Sequence, residues 1–258
     1  MQIPPKEKPV YRSPDGLPTD ICIFTITSEP RKDTKHKSLP DRKLKILLIQ
    51  RDPQSDRFPG YWAFPGGFLN EHETLDQCAE RELREETHIL NEKVHIKQLK
   101  AYYTPGRDPG GWIPTVAYYA LVNEQALSGF KADDDAVDAC LFTVEEAMSM
   151  NLAFDHNEIL KDALQKIQEI MVQTNIAKEF LPEEFTLSEL LQVIETVVPD
   201  FKVDRSNFSR RLVSTINRKG IIEEVRDAEG SAKYSNKYSQ NQAKLYKFAD
   251  YVPFVSIY

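Results

Sequence analysis

The sequence predicts an α+β chain in two parts, a larger mixed domain followed by a smaller basic one. Short β-branched runs are interleaved with two helical periods up to about residue 172. A new set of helix and strand signals begins at Thr186. The charge divides at a similar place. The 258 residues carry a net −7, yet 201–258 hold eleven Lys and Arg against six acids, so this segment is +5 and the rest −12.

In chain order, residues 1–18 are polar and proline-bearing and read as an extended lead-in. Ile21–Thr27 (ICIFTIT) and Leu44–Gln50 (LKILLIQ) read as buried strands, with a charged arm between them. Pro65-Gly66-Gly67 marks a turn, and Thr74–Glu86 has Leu75, Ala79 and Leu83 at helical steps. Val94–Tyr103, Thr115–Val122 and Ala139–Thr143 read as further strands, and His156–Met171 as a second long helix. This domain spans 19–172; 173–185 reads as a linker and 186–258 as the second domain.

With 41% hydrophobic and 28% charged residues, the chain can bury a core. Cys22, Cys78 and Cys140 are far apart and odd in number, which argues against a disulfide framework and for a reducing, cytoplasmic setting. The leading MQIPPKEKPVY lacks a signal-peptide core, and no apolar run reaches membrane-spanning length.

The chemistry concentrates in Gly67–Ile89, GFLNEHETLDQCAERELREETHI. Glu82, Glu85 and Glu86 stand at i, i+3 and i+4, on one side of a helix. Like charges this close repel, and a hard divalent cation relieves them; Mg²⁺ or Mn²⁺ suits such oxygens together with substrate phosphates. The Arg81 fork is placed to pair with Glu73 and tie the preceding loop to the helix. Singly, each acid is more often an ordinary solvated helix residue.

The stretch resembles the Nudix box, G-x5-E-x7-R-E-U-x-E-E-x-G-U with U apolar. Gly67, Glu73, Arg81, Glu82, Leu83, Glu85, Glu86 and Ile89 match it. One position departs: His88 stands where the family has Gly, a residue that lets the chain leave the helix with positive φ. The resemblance implies a Nudix fold, a mixed β-sheet between helices, and hydrolysis of a nucleoside diphosphate linked to another group. It further implies that Glu82, Glu85 and Glu86 hold Mg²⁺ with one serving as base, that the Gly67 carbonyl adds to the metal, and that Glu73 and Arg81 are structural.

A second stretch, Tyr103–Trp112, is either a glycine-rich packing loop or a substrate loop. In the second case Arg107 grips a phosphate and Tyr103 or Trp112 stacks on a base. Its PGRDP-x-GW run is similar to loops in ADP-ribose pyrophosphatases and Nudix-related transcriptional regulators, which favours ADP-ribose or a related nucleotide. His156 reads as a helix-start packing residue rather than a catalyst.

In the C-terminal part, Thr186 with Glu189 forms a capping box before an apolar helix face. Asp204 or Ser206 caps a basic helix running to Ile216 and carrying Arg205, Arg210 and Arg211. Ile221–Val225 and Leu245–Phe248 then read as strands flanking a polar stretch with Lys233 and Lys237. This order resembles a winged helix-turn-helix, with the basic helix and tip facing double-stranded DNA; a packing or dimerisation domain of the same shape is the alternative. A Nudix domain followed by a winged helix resembles the Nudix-related regulators, which implies a homodimer. Two expectations stand: a Mg²⁺-dependent pyrophosphatase acting on ADP-ribose-like substrates comes first, and a ligand-responsive DNA-binding regulator is the alternative.

Overall fold

The computed structural model describes residues 14–32, 37–89, 94–127, 139–213 and 220–250. A mixed sheet forms the larger unit. Its central path runs β3 (Trp62–Ala63), β2 (Asp41–Gln50), β1 (Pro18–Glu29), β6 (Thr115–Leu121), β5 (His95–Tyr102). β4 (Gly66–Phe68) pairs with the start of β1, and β7 (Ala139–Thr143) pairs with β2. Only β1 and β6 run parallel among these pairs; the others are antiparallel.

β1 is apolar almost throughout because both of its faces are covered. Ile21 and Ile23 face one core with Ala79 and Leu83 of α1 (Leu75–Thr87). Cys22, Phe24 and Ile26 face the opposite core with Ile159, Ala163 and Ile167 of α3 (His156–Gln173). A short α2 (Val144–Ser149) precedes α3 and is opened by a Thr143–Glu146 capping box.

The second core does not stop at the end of α3. Residues 173–185, expected as a linker, contain a 3-10 turn, Ile176–Phe180, whose Ile176, Ala177 and Phe180 are buried. The apolar side chains there continue one cluster into α4 (Leu187–Val197), through Leu190 and Ile194, and on to Phe208 and Leu212 of α5 (Arg205–Leu212). A polar linker reading from Pro182 missed this, because its apolar residues are interspersed with acids.

In the smaller unit, β8 (Phe185–Thr186), β9 (Ile222–Glu224), β10 (Tyr234–Ser235) and β11 (Ala243–Phe248) form a second sheet around β11. α4 opens with the expected Thr186–Glu189 capping box, and Asp204 caps α5. α5 stops at Leu212 rather than Ile216: the β-branched Val213 turns extended and bridges to Ile222. Ile216 lies outside the described residues. No helix among the described residues is long and apolar enough to cross a membrane.

Candidate functional site

α1 begins where Thr74 and Gln77 cap each other's backbone, which aims its carboxylates at β4. Arg81 is the hub. Its Nε and Nη2 hold the two oxygens of Glu73 at 2.7 and 3.0 Å, and Nη2 also donates to the Phe68 carbonyl at 3.1 Å. This ties the loop to the helix as the spacing suggests. It also draws Glu73 down to about 2, chiefly through the hydrogen bond from Arg81.

The same guanidinium reaches two of the expected metal ligands. Nη1 lies 2.5 Å from Glu82 and 3.1 Å from Glu85. Glu86 points elsewhere, its Oε2 accepting from the Gly66 amide at 2.6 Å. Burial pushes Glu86 up to about 7; the Gly66 bond opposes this, while Glu82 and Asp20 add to it as like charges. Gly67 lies against the Glu82 carboxylate, leaving no room for a β-carbon. The donor chemistry therefore suits a divalent cation, and the crowding around Glu86 is of the kind a cation relieves. As the side chains stand, no three His, Cys, Asp or Glu among the described residues are gathered around a common point. Arg81 supplies the counter-charge to Glu82 and Glu85 instead. His88 ends α1 with φ 55°, the left-handed region expected for the box glycine.

Beside Gly66 and Gly67 lies a cleft of about 170 Å³, also lined by Asp20, Arg51, Arg57, Arg107 and Phe154. Arg107 does not meet the expectation of a phosphate grip. Its Nε and Nη2 are spent on Asp155 at 2.8 and 2.7 Å, and its side chain is 4% exposed. It pins the glycine-rich loop to the start of α3. Arg57 is likewise held by both oxygens of Asp108 at 3.0 and 2.8 Å.

Arg51 is different. It donates to the Arg57 carbonyl and to Ser55 Oγ, both at 2.9 Å, and lies 5.1 Å over the Phe154 ring. Among the described residues it has no carboxylate at ion-pair distance, and burial lowers its pKa, with Arg57 adding to the effect. It is the cleft guanidinium best placed to meet an anion, and sequence reasoning passed over it. The only signal in the sequence was that Arg51 directly follows a strand run.

Tyr103 and Trp112 are 73% and 43% exposed and border an apolar groove that meets the cleft at Arg107. His156 is buried; its Nδ1 accepts from the Phe64 amide at 3.0 Å, and its ring stacks on Phe64. The proton therefore sits on Nε2, which faces Asp20 at 3.5 Å. This is the packing role expected of it.

In the smaller unit, Arg205, Arg210 and Arg211 are exposed on α5. Arg210 also bonds to Asn207 of its own helix. Lys237 is exposed, with its ammonium 4.7 Å over the Tyr238 ring. Lys233 departs from expectation: its ammonium is held by both oxygens of Glu184 at 2.6 and 2.7 Å, which fastens the wing to the residue just before β8.

The two units match two known families. Residues 39–163 match the NUDIX domain, and 177–248 match the NrtR DNA-binding winged helix domain. A protein of Acinetobacter baylyi described as an ADPR responsive transcriptional repressor is 32% identical over 249 residues, spanning 94% of this chain and 85% of that one. The chain belongs to the NrtR family. Shewanella oneidensis NrtR, solved in complex with a 27mer DNA, superposes with a TM-score of 0.70 at 27% identity, covering 93% of this chain and 98% of that one. An ADP-ribose pyrophosphatase of Methanocaldococcus jannaschii is 36% identical over 121 residues, 47% of this chain and 66% of that one. The order of the two expectations is thereby reversed: the regulator is favoured over the hydrolase, because the relatives that run through both units are NrtR proteins.

Proposed function

We propose that this protein is a DNA-binding transcriptional regulator whose Nudix unit senses ADP-ribose or a closely related nucleotide. The observation that carries this reading is the similarity, spanning both units, to an ADPR responsive repressor. The geometry supports it at both ends. In the cleft, Arg51 offers a partly desolvated guanidinium to a diphosphate, and Phe154 and the exposed Trp112 and Tyr103 offer aromatic surface to a base or ribose. On α5, three exposed arginines offer phosphate contacts to a duplex. The experiment is fluorescence anisotropy on labelled duplexes tiling the region upstream of the protein's own coding sequence, with and without ADP-ribose. Sequence-selective binding that ADP-ribose weakens supports the reading; binding at the level of random DNA, indifferent to ADP-ribose, refutes it.

Hydrolysis is a second reading, favoured by the complete set of box carboxylates, Glu82, Glu85 and Glu86, on one helix. Glu82, Glu85 and Glu86 would hold Mg²⁺ or Mn²⁺, which would supply charge neutralisation at a diphosphate. For Glu82 and Glu85 to hold it, Arg81 must give them up, so this reading requires a rearrangement that the sensor reading does not. Incubation of the full chain with ADP-ribose and Mg²⁺, read as AMP and ribose 5-phosphate, tests it; Glu85→Gln with Glu86→Gln is expected to remove any product.

A further inference from the structure

Two elements leave the ligand cleft, and both end on α4. The first is β2. Arg51 follows its last residue and lines the cleft. Near its other end, Arg42 donates from Nη1 to the Glu189 carbonyl oxygen at 3.1 Å. Just before the strand, the Pro40 carbonyl accepts from Gln192 Nε2 at 2.6 Å. Glu189 lies in the first turn of α4 and Gln192 at its middle. From Arg42 to Arg51 the strand reaches about 30 Å.

The second element is α3. Phe154 lines the cleft, and Asp155, just before α3, holds Arg107 there. Further along, Gln168 Nε2 donates to the carbonyl oxygen of Val197, the last residue of α4, at 3.1 Å. That carbonyl has no partner within its own helix, so Gln168 satisfies a group that would otherwise depend on water. The run from Asp155 to Gln168 is about 20 Å along the helix.

α4 is thus held near its start by one element and at its end by another, and each of those elements has its far end in the cleft. The attachments are directional hydrogen bonds, which weaken steeply when the angle changes. Apolar packing fills the space between them. Beyond α4, the same core contains Phe208 and Leu212 of α5, so the arginine-bearing helix follows α4.

We propose that β2 and α3 act as paired struts that carry cleft occupancy to α5, with Arg42 and Gln168 as the positioning residues that fix α4 to them. This rests on the regulator reading and adds its route. A phosphate drawn to Arg51 displaces the end of β2, and a ring set against Phe154 displaces the start of α3. Unequal displacement of the two struts tilts α4, because each of its ends follows a different element. The tilt re-aims Arg205, Arg210 and Arg211 together. A hydrogen-bonded strand and a packed helix are contiguous elements of the kind that can carry coupling between two sites.

The test uses the full chain as wild type, Arg42→Ala, Gln168→Ala, the double variant and Arg42→Lys. Calorimetry gives ADP-ribose affinity, anisotropy gives affinity for the upstream duplex with and without saturating ADP-ribose, and hydrogen exchange reports on the α4 amides. Wild type is expected to shift its DNA affinity by about 5–150-fold on binding ADP-ribose, the ordinary range of allosteric coupling. The double variant is expected to bind ADP-ribose alone, and DNA alone, as wild type does, while the ligand-induced shift falls to about twofold or less. Arg42→Lys keeps a donor and is expected to keep most of the shift. ADP-ribose should alter exchange along α4 in wild type only. A double variant that retains the full wild-type shift overturns the struts and leaves the regulator reading intact. Wild-type DNA affinity that does not move when ADP-ribose is bound overturns the regulator reading, and the struts with it. Should the double variant lose its cooperative melt, wild-type exchange decides: α4 amides indifferent to ADP-ribose overturn the proposal.

Discussion

Arg51 and Arg107 reach one cleft from different loops with opposite commitments. Arg107 is buried against Asp155, and its loss strands a half-buried carboxylate. Arg107→Ala is expected to cost about 3–5 kcal/mol of stability, read from urea midpoints. Arg51→Ala breaks no ion pair but removes two hydrogen bonds, so it should cost about 1–3 kcal/mol, less than Arg107→Ala. Its ADP-ribose affinity should fall by about 1.5–3 kcal/mol, roughly tenfold or more by calorimetry. An Arg51→Ala variant with normal affinity would show that the anion-binding role is misassigned. Glu73 makes a prediction about pH. Its folded pKa of about 2 lies below the ordinary 4.5, so its pairing with Arg81 stabilises the fold above about pH 4.5, and this is lost as the pH falls toward 2. Glu73→Gln should therefore melt lower than wild type at pH 7 and converge with it near pH 2, which flattens the acid limb of Tm against pH. The Glu73–Arg81 pair was legible because its members lie eight residues apart across one helix start. The Arg107–Asp155 pair spans 48 residues, and Lys233–Glu184 spans 49. No local period carries such distances, so both cations read as free in the sequence.

Elements were legible where their ends carry chemistry. Thr186 with Glu189 opens α4, Asp204 caps α5, and His88 takes the left-handed turn that closes α1. Where an end depends on a distant partner, as when Val213 leaves α5 to bridge Ile222, the local pattern overran it. The two-residue strands β3, β8 and β10 are too short for alternation to mark them. Two predictions belong to this scale. His88→Gly removes a side chain from φ 55° and is expected to stabilise the chain by about 1 kcal/mol, read in urea unfolding. On α5, Arg210→Ala with Arg211→Ala should weaken DNA binding and reduce the slope of log affinity against log salt by about 2 for each protomer on the duplex, if each arginine meets one phosphate. Lys233→Ala should leave that slope unchanged, since its ammonium is occupied by Glu184. Equal slopes for the wild type and the arginine double variant would move the DNA face away from α5.

Across the whole molecule, the feature that joins the scales is one apolar cluster running from the β-sheet through α3 and α4 to α5. Two units sharing a core are expected to unfold together, so calorimetry should give one transition whose van't Hoff and calorimetric enthalpies agree. The charge split, acidic on the larger unit and basic at the C-terminus, suits a partnership in which one unit takes a nucleotide and the other takes DNA. The linkage between them is tested most directly by titrating ADP-ribose into the preformed complex of the full chain with its upstream duplex, using wild type and Arg51→Ala side by side. Wild type should release the DNA as ADP-ribose saturates, and Arg51→Ala should release it only at roughly tenfold higher ADP-ribose or more. DNA that stays bound while ADP-ribose fills the wild-type cleft would contradict the sensor function outright.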